Sequence, residues 1–134
     1  MNIRIDQGLP LVTCKIFYQK STVLLNDVLI DTGSAATVFD SDSVASIGLL
    51  PNSDARIVKM YGIGGKSDYC FELMTEGLMI DRFLLHHFTI QLGNLRDAYG
   101  FHAILGVDFL LATGLLMDLN QLALVDTKAT SSVM

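Results

Sequence analysis

The chain has no tryptophan, only two prolines and only two cysteines among its 134 residues. Cys14 and Cys70 are too few for the disulfide framework that staples small secreted domains. Histidine is sparse as well. His86 and His87 are adjacent and His102 stands apart, so no Cys/His spacing resembles a zinc site, and no metal is expected. Basic residues are outnumbered, with Lys plus Arg at 9 against Asp plus Glu at 14, a net charge of −5. Without clustered Lys and Arg to neutralise phosphates, nucleic acid is not an expected partner. Long apolar runs are also missing. The most apolar stretch, residues 101–117, is interrupted by Asp108 and carries Gly106 and Gly114. A spanning helix wants about 20 apolar residues with few or no charges, so no membrane association is expected. The first residues show no basic segment followed by an apolar run, so no signal peptide is expected either. These absences together favour a reduced, soluble, cytoplasmic protein.

What is present is apolar. Hydrophobic residues make up 51% and charged residues 17%. That is too apolar for a disordered chain and enough for one core, with some apolar surface available for burial between subunits. The length fits a single domain over residues 1–134. The texture is one of short apolar runs punctuated by Gly, Asn and Asp. Strands are expected at 11–18 and 23–30, joined by a hairpin at 19–21, on their β-branched and aromatic content. The polar run 40–43 offers N-cap chemistry for one or two helical turns at 44–47, with Gly48 as the stop. Strands at 56–60 and 68–73 flank a glycine-rich turn, 61–67, making a long hairpin with a mobile tip. Further strands are expected at 78–80, 87–92 and 103–106. A helix over 107–112 ends near Gly114, and a closing hairpin turns around Asn120 between 115–119 and 121–125. The polar residues 127–134 read as a frayed end. Many short strands, turn signals and one or two short helices predict a mainly β, barrel-like domain.

The sharpest local feature is Leu29-Ile30-Asp31-Thr32-Gly33-Ser34-Ala35-Ala36, where an apolar strand delivers a carboxylate into a turn of small residues. Gly33 permits a tight turn and a close backbone approach, and Ser34 and Ala35 leave room beside the carboxylate. Taken alone, Asp-Thr-Gly is a common triplet, and a strand-end Asp in an ordinary turn explains it. The rest of the chain adds weight. The hairpin tip Tyr61-Gly62-Ile63-Gly64-Gly65 follows, suited to fold over a site as a lid, and then comes Ile104-Leu105-Gly106-Val107-Asp108-Phe109-Leu110. In order and spacing these pieces resemble the retropepsin-like aspartic proteases, over about residues 9–125. The helix at 41–48 looks more like the cellular and bacterial branch than the viral one.

The resemblance implies a retropepsin-like acid-protease barrel, one lobe per chain, with a β-hairpin flap. It implies an aspartic endopeptidase whose substrate is a polypeptide. The chain carries one Asp-Thr-Gly, and Asp40, Asp42, Asp108 and Asp118 lack that context. The second catalytic carboxylate therefore comes from another copy in a homodimer. Asp31, Thr32 and Gly33 would be catalytic, with Thr32 bonding across the dimer axis and the Gly33 amide serving a carboxylate oxygen. Ser34, Ala35, Tyr61, Gly62, Ile63, Gly64 and Gly65 would contact substrate. Ile104, Leu105 and Gly106 would pack beneath the active-site loop. The mechanism needs no metal or organic cofactor.

The chain departs from the viral pattern in three places. Ser34 replaces the usual Ala, as in pepsin-like relatives. Asp108 stands where viral members have another polar residue, and a role in starting the helix is expected for it. The C-terminal strand that ties viral dimers is not identifiable beyond Val125. The alternative of another class is a catalytically silent domain of the same fold that binds extended peptides or mediates dimerisation. A third is a generic β-barrel interaction module with a coincidental triplet. Of the remaining residues, His86 and His87 read as a solvated turn or strand pair. Cys14 and Cys70 read as buried small apolar side chains. Met60, Met74, Met79 and Met117 read as core filler. A phosphate loop at 61–65 is set aside, because no helix is predicted to follow it.

Overall fold

A computed structural model describes the backbone of residues 1–61 and 67–127, and their side chains except those of residues 60, 61, 67 and 68. The strands in chain order are β1 (Arg4–Asp6), β2 (Leu9–Tyr18), β3 (Ser21–Ile30), β4 (Val38–Asp40), β5 (Arg56–Tyr61) and β6 (Ser67–Met74). After them come β7 (Gly77–Ile80), β8 (Phe83–His86), β9 (Thr89–Gly93), β10 (Ala103–Leu105), β11 (Leu116–Asp118) and β12 (Ala123–Val125). Among the described residues three short helices intervene: α1 (Ser41–Val44), which tightens into a 3-10 turn over Ala45–Ile47, α2 (Arg96–Tyr99) and α3 (Val107–Thr113).

The main sheet runs β5-β6-β9-β4-β10-β3-β2-β7-β8, with β1 added to β2, while β11 and β12 pair separately. The β2–β3 hairpin turns on Gln19 and Lys20, whose φ of 47° and 66° and Tyr18↔Ser21 pairing match the twist of the strands they join. Val12, Cys14 and Ile16 alternate inward on β2. The last three residues of β3, Val28, Leu29 and Ile30, are all buried, because β2 and a parallel partner, β10, flank them. Phe39, Leu49, Leu78, Ile90, Leu105 and Phe109 are among the largest buried side chains of the core. Phe88 meets Phe109 edge-on, with centroids 6.1 Å apart.

Asp40 caps α1 and Gly48 ends the turn after it at φ 81°, as the sequence predicts. Gly114 ends α3 at φ 68°. Other elements differ from expectation. β1 is exposed along its length and has no apolar alternation, so only its backbone pairing with β2 defines it. β4 is three buried residues ending in a capping Asp, and α2 is one turn with no buried residue of its own. Residues 83–86 form a strand paired with β7, and β9 begins only at Thr89, because His87 turns the chain at φ 52°. The last strand starts at Ala123 instead of 121. The Asp118 carboxylate accepts the amides of Asn120 and Gln121 and widens the turn. Residue 2 bridges to Ala123, so the first residues close onto the last hairpin. Met74 is 55% exposed and is not core filler, whereas Met117 packs against the core. Cys14 and Cys70 are both buried, as small apolar side chains would be. No described helix is long and apolar enough to cross a membrane. Residues 62–66, where the mobile tip was expected, and 128–134 of the expected frayed end lie outside the described residues.

Candidate active site

The site grows from the end of β3. Parallel pairing sets Ile104 beside Leu29 and Leu105 beside Ile30, and the Asp31 amide continues the ladder by donating to the Leu105 carbonyl at 2.9 Å. The chain then turns. The Ser34 amide donates to the Asp31 carbonyl at 3.1 Å, and the Gly33 amide donates to Asp31 Oδ1 at 2.9 Å. Asp31 is half-buried at the mouth of this turn, with Thr32, Gly33 and Ala35 exposed around it. The Ser34 side chain turns inward instead and donates to the Ala36 carbonyl at 2.7 Å. A carboxylate so held is aimed by its own backbone while its surroundings stay open.

The loop 31–37 lies backbone to backbone on 104–108. The Val107 amide donates to the Ser34 carbonyl at 2.8 Å. Gly106 is buried, and a β-carbon there would stand 2.5 Å from the Ala36 oxygen and 2.7 Å from the Ser34 oxygen. Only glycine fits so close an approach. Leu105 and Gly106 thus touch the loop directly, whereas Ile104 pairs with Leu29 and Val38 on the strands to either side of it. Two residues that sequence analysis did not join complete the contact. Thr37 is fully buried. Its hydroxyl accepts from the Gly106 amide at 3.1 Å and donates to Asp108 Oδ1 at 2.8 Å, and its amide donates to Asp108 Oδ2 at 3.1 Å. Nothing local in the sequence marks this pair, which is 71 residues apart.

The other aspartates have different partners. Asp40 is buried, accepting from the Leu95 and Arg96 amides on Oδ1 and from the Ser43 amide and hydroxyl on Oδ2. Burial by itself would push its pKa up, but hydrogen bonds from Arg96, Ser43 and Leu95 outweigh it and hold the carboxyl below its ordinary value. Ser43 also bonds His102 Nδ1 at 2.8 Å, so that cluster is a structural cap. Asp118 organises the last turn, and Asp42 is exposed. Burial pushes the Cys14 thiol up to about 12, which leaves it without nucleophilic character at neutral pH.

Tyr61 closes β5, opposite Ser67 on β6. Its side chain, and all of Gly62, Ile63, Gly64 and Gly65, lie outside the described residues, so their expected contact with substrate is not located. Gly65-Lys66-Ser67 does carry the ending of a phosphate loop. However, Met60 stands where that motif needs its first glycine, and Ser67 opens a strand instead of a helix. Among the described residues no group of three or more His, Cys, Asp or Glu could hold a metal ion.

No protein-family model matches the chain, and no curated protein matches it. Solved structures do. A retropepsin-like aspartic protease from Rickettsia conorii superposes with a TM-score of 0.60 at 13% identity, over 87% of this chain and 82% of that one. The retroviral protease-like domain of Ddi1 from Leishmania major superposes with a TM-score of 0.64 at 20% identity, over 88% of this chain and 87% of that one. The fold is therefore retropepsin-like.

Proposed function

We propose that this chain, folded as one retropepsin-like domain over residues 1–134, is an aspartic endopeptidase that works as a homodimer. One observation carries the reading: the Asp31 carboxylate is held at the mouth of an open turn by the Gly33 amide at 2.9 Å. One such carboxylate per chain requires a second copy, with the two Asp31 side chains meeting on a two-fold axis.

Two carboxylates about 3 Å apart cannot both ionise, so the pair shares a proton and titrates in two separated steps. The ionised member takes a proton from a water as its oxygen attacks the peptide carbonyl carbon. The protonated member gives its proton to the carbonyl oxygen. The tetrahedral diol then collapses, the C–N bond breaks, and the amine leaves with a proton returned from the pair. Thr32 steadies the pair across the axis. Ala35 flanks the substrate, while residues 61–65 pair with its extended backbone and exclude water. Apolar side chains beside the scissile bond suit walls built from apolar strands. No cofactor takes part. Two cysteines, too few for a disulfide framework, favour a reducing compartment such as the cytoplasm.

The test is cleavage of a diverse peptide mixture at high protein concentration, from about pH 4 to 8, beside Asp31→Asn. Cleavage by the parent and not by the variant supports the aspartic mechanism, and the cut sites give the specificity. Cleavage by both points to another nucleophile or a contaminant. Cleavage by neither, in a sample of dimeric mass, favours a silent peptide-binding domain of the same fold.

A further inference from the structure

We infer that Asp108 is a positioning residue for Asp31, acting through Thr37 to hold the far end of the loop that aims the reactive carboxylate. This rests on the endopeptidase reading above.

The loop leaves β3 at Ile30 and returns as β4 at Val38. Backbone bonds fix its entry, Asp31 to Leu105, and its middle, Val107 to Ser34. Its exit is held by one backbone bond, from the Gln91 amide to the Thr37 carbonyl at 2.9 Å, and by side chains. Thr37 is gripped from both sides by Asp108, which also accepts the Phe109 amide on Oδ1 at 2.8 Å. The Thr37 hydroxyl passes the grip on to the Gly106 amide at 3.1 Å, beside the closest backbone approach in the loop. Ser34 cannot substitute, since its hydroxyl is spent within its own loop on Ala36.

The chemistry of the grip demands a carboxylate. Asp108 accepts on both oxygens, and all its partners are donors. The isosteric amide of Asn would turn an N–H against a Thr37 donor and leave a buried polar group unpaired. An aspartyl pair tolerates little of the resulting slack. The separation of its oxygens sets the shared proton, and two-fold symmetry repeats any displacement in the partner. Misplacing a reacting group by about 1 Å costs up to about a hundredfold in rate.

The experiment compares the full chain with Asp108→Asn, Thr37→Val and Asp118→Asn. Asp118 is the control, because it too accepts backbone amides but in the turn between β11 and β12, which pair outside the main sheet. Amide NMR follows Gly33 and Ser34, whose bonds end on Asp31. Peptide turnover gives kcat and KM separately. In Asp108→Asn and Thr37→Val, the Gly33 and Ser34 signals should shift and exchange roughly tenfold faster or more. In both, kcat should fall about ten- to a hundredfold with KM little changed. Asp118→Asn should lower Tm and move neither. If Asp108→Asn lowers Tm alone and leaves the Gly33 and Ser34 signals and kcat at parental values, the positioning role is overturned. A parent that cleaves nothing sinks the endopeptidase reading, while the amide signals still decide the positioning one. Should Asp108→Asn fail to fold, Thr37→Val carries the same comparison, since it keeps the Asp108 charge and the Thr37 amide bond.

Discussion

A β-carbon on Gly106 would stand 2.5 Å from the carbonyl oxygen of Ala36. The glycine backbone itself, at φ −90°, is one that alanine adopts without strain. Space alone therefore excludes a side chain, and the obstacle is backbone on the loop that carries Asp31. Gly106→Ala should cost about 1–3 kcal/mol, as overpacking does. The urea midpoint should fall with the slope unchanged. Turnover of a cleavable peptide should fall further than stability alone accounts for, because the Asp31 loop must move to make room. A variant as stable as the parent would mean that the two segments separate easily.

Asp40 couples stability to acid. Its carboxylate joins the start of α1 to the start of α2 by accepting the Ser43, Leu95 and Arg96 amides. Asp40→Ala should cost about 2–4 kcal/mol by removing a cap and stranding buried amides. The folded carboxyl titrates below its ordinary value of 3.8. The stability it adds is therefore present above that value and is lost as pH falls through the lower folded pKa. Urea midpoints taken between about pH 5 and 2.5 should drop for the parent and drop less for Asp40→Ala. Parallel curves would assign acid sensitivity to other groups.

Cys14 couples stability to alkali in the opposite sense. Burial raises its pKa from 9.0 to about 12. Below 9.0 the thiol is protonated whether the chain is folded or not. Above it, the unfolded thiol ionises first and draws the equilibrium toward unfolding. A thiol reagent should leave Cys14 unmodified in the folded protein at neutral pH and label it at once in urea. Rapid labelling without denaturant would show that β2 opens locally.

The sequence marks those parts of the fold that are governed by neighbours along the chain. The hairpin at Gln19 and Lys20, the cap at Asp40, the stops at Gly48 and Gly114, and the turn at Asp31 to Ser34 all depend on residues a few positions apart. What it conceals is defined from a distance. β1 owes its existence to β2, and β4 to parallel pairing with β9. At the site, the apolar Ile104-Leu105-Gly106 stands out because burial and close approach both leave a trace in residue type. Thr37 leaves none. A lone threonine after two alanines signals nothing until the fold brings Asp108 to it. Met74 shows the converse error, since an apolar residue at a strand end need not face inward.

If the active site is shared between copies, activity depends on how chains pair, which mixing can read directly. Parent and Asp31→Asn chains combined in equal amounts and allowed to exchange give parental pairs, variant pairs and hybrids. Only pairs with both carboxylates hold the dyad, so activity per total chain should fall to about a quarter of the parental value under random association. A site complete within one chain would retain about half. The parent's specific activity should also rise with its own concentration until the dimer saturates, in step with the mass seen by sedimentation. Activity that scales linearly with chain concentration in a monomeric sample would reject the shared dyad and require a second acid or base from within the chain.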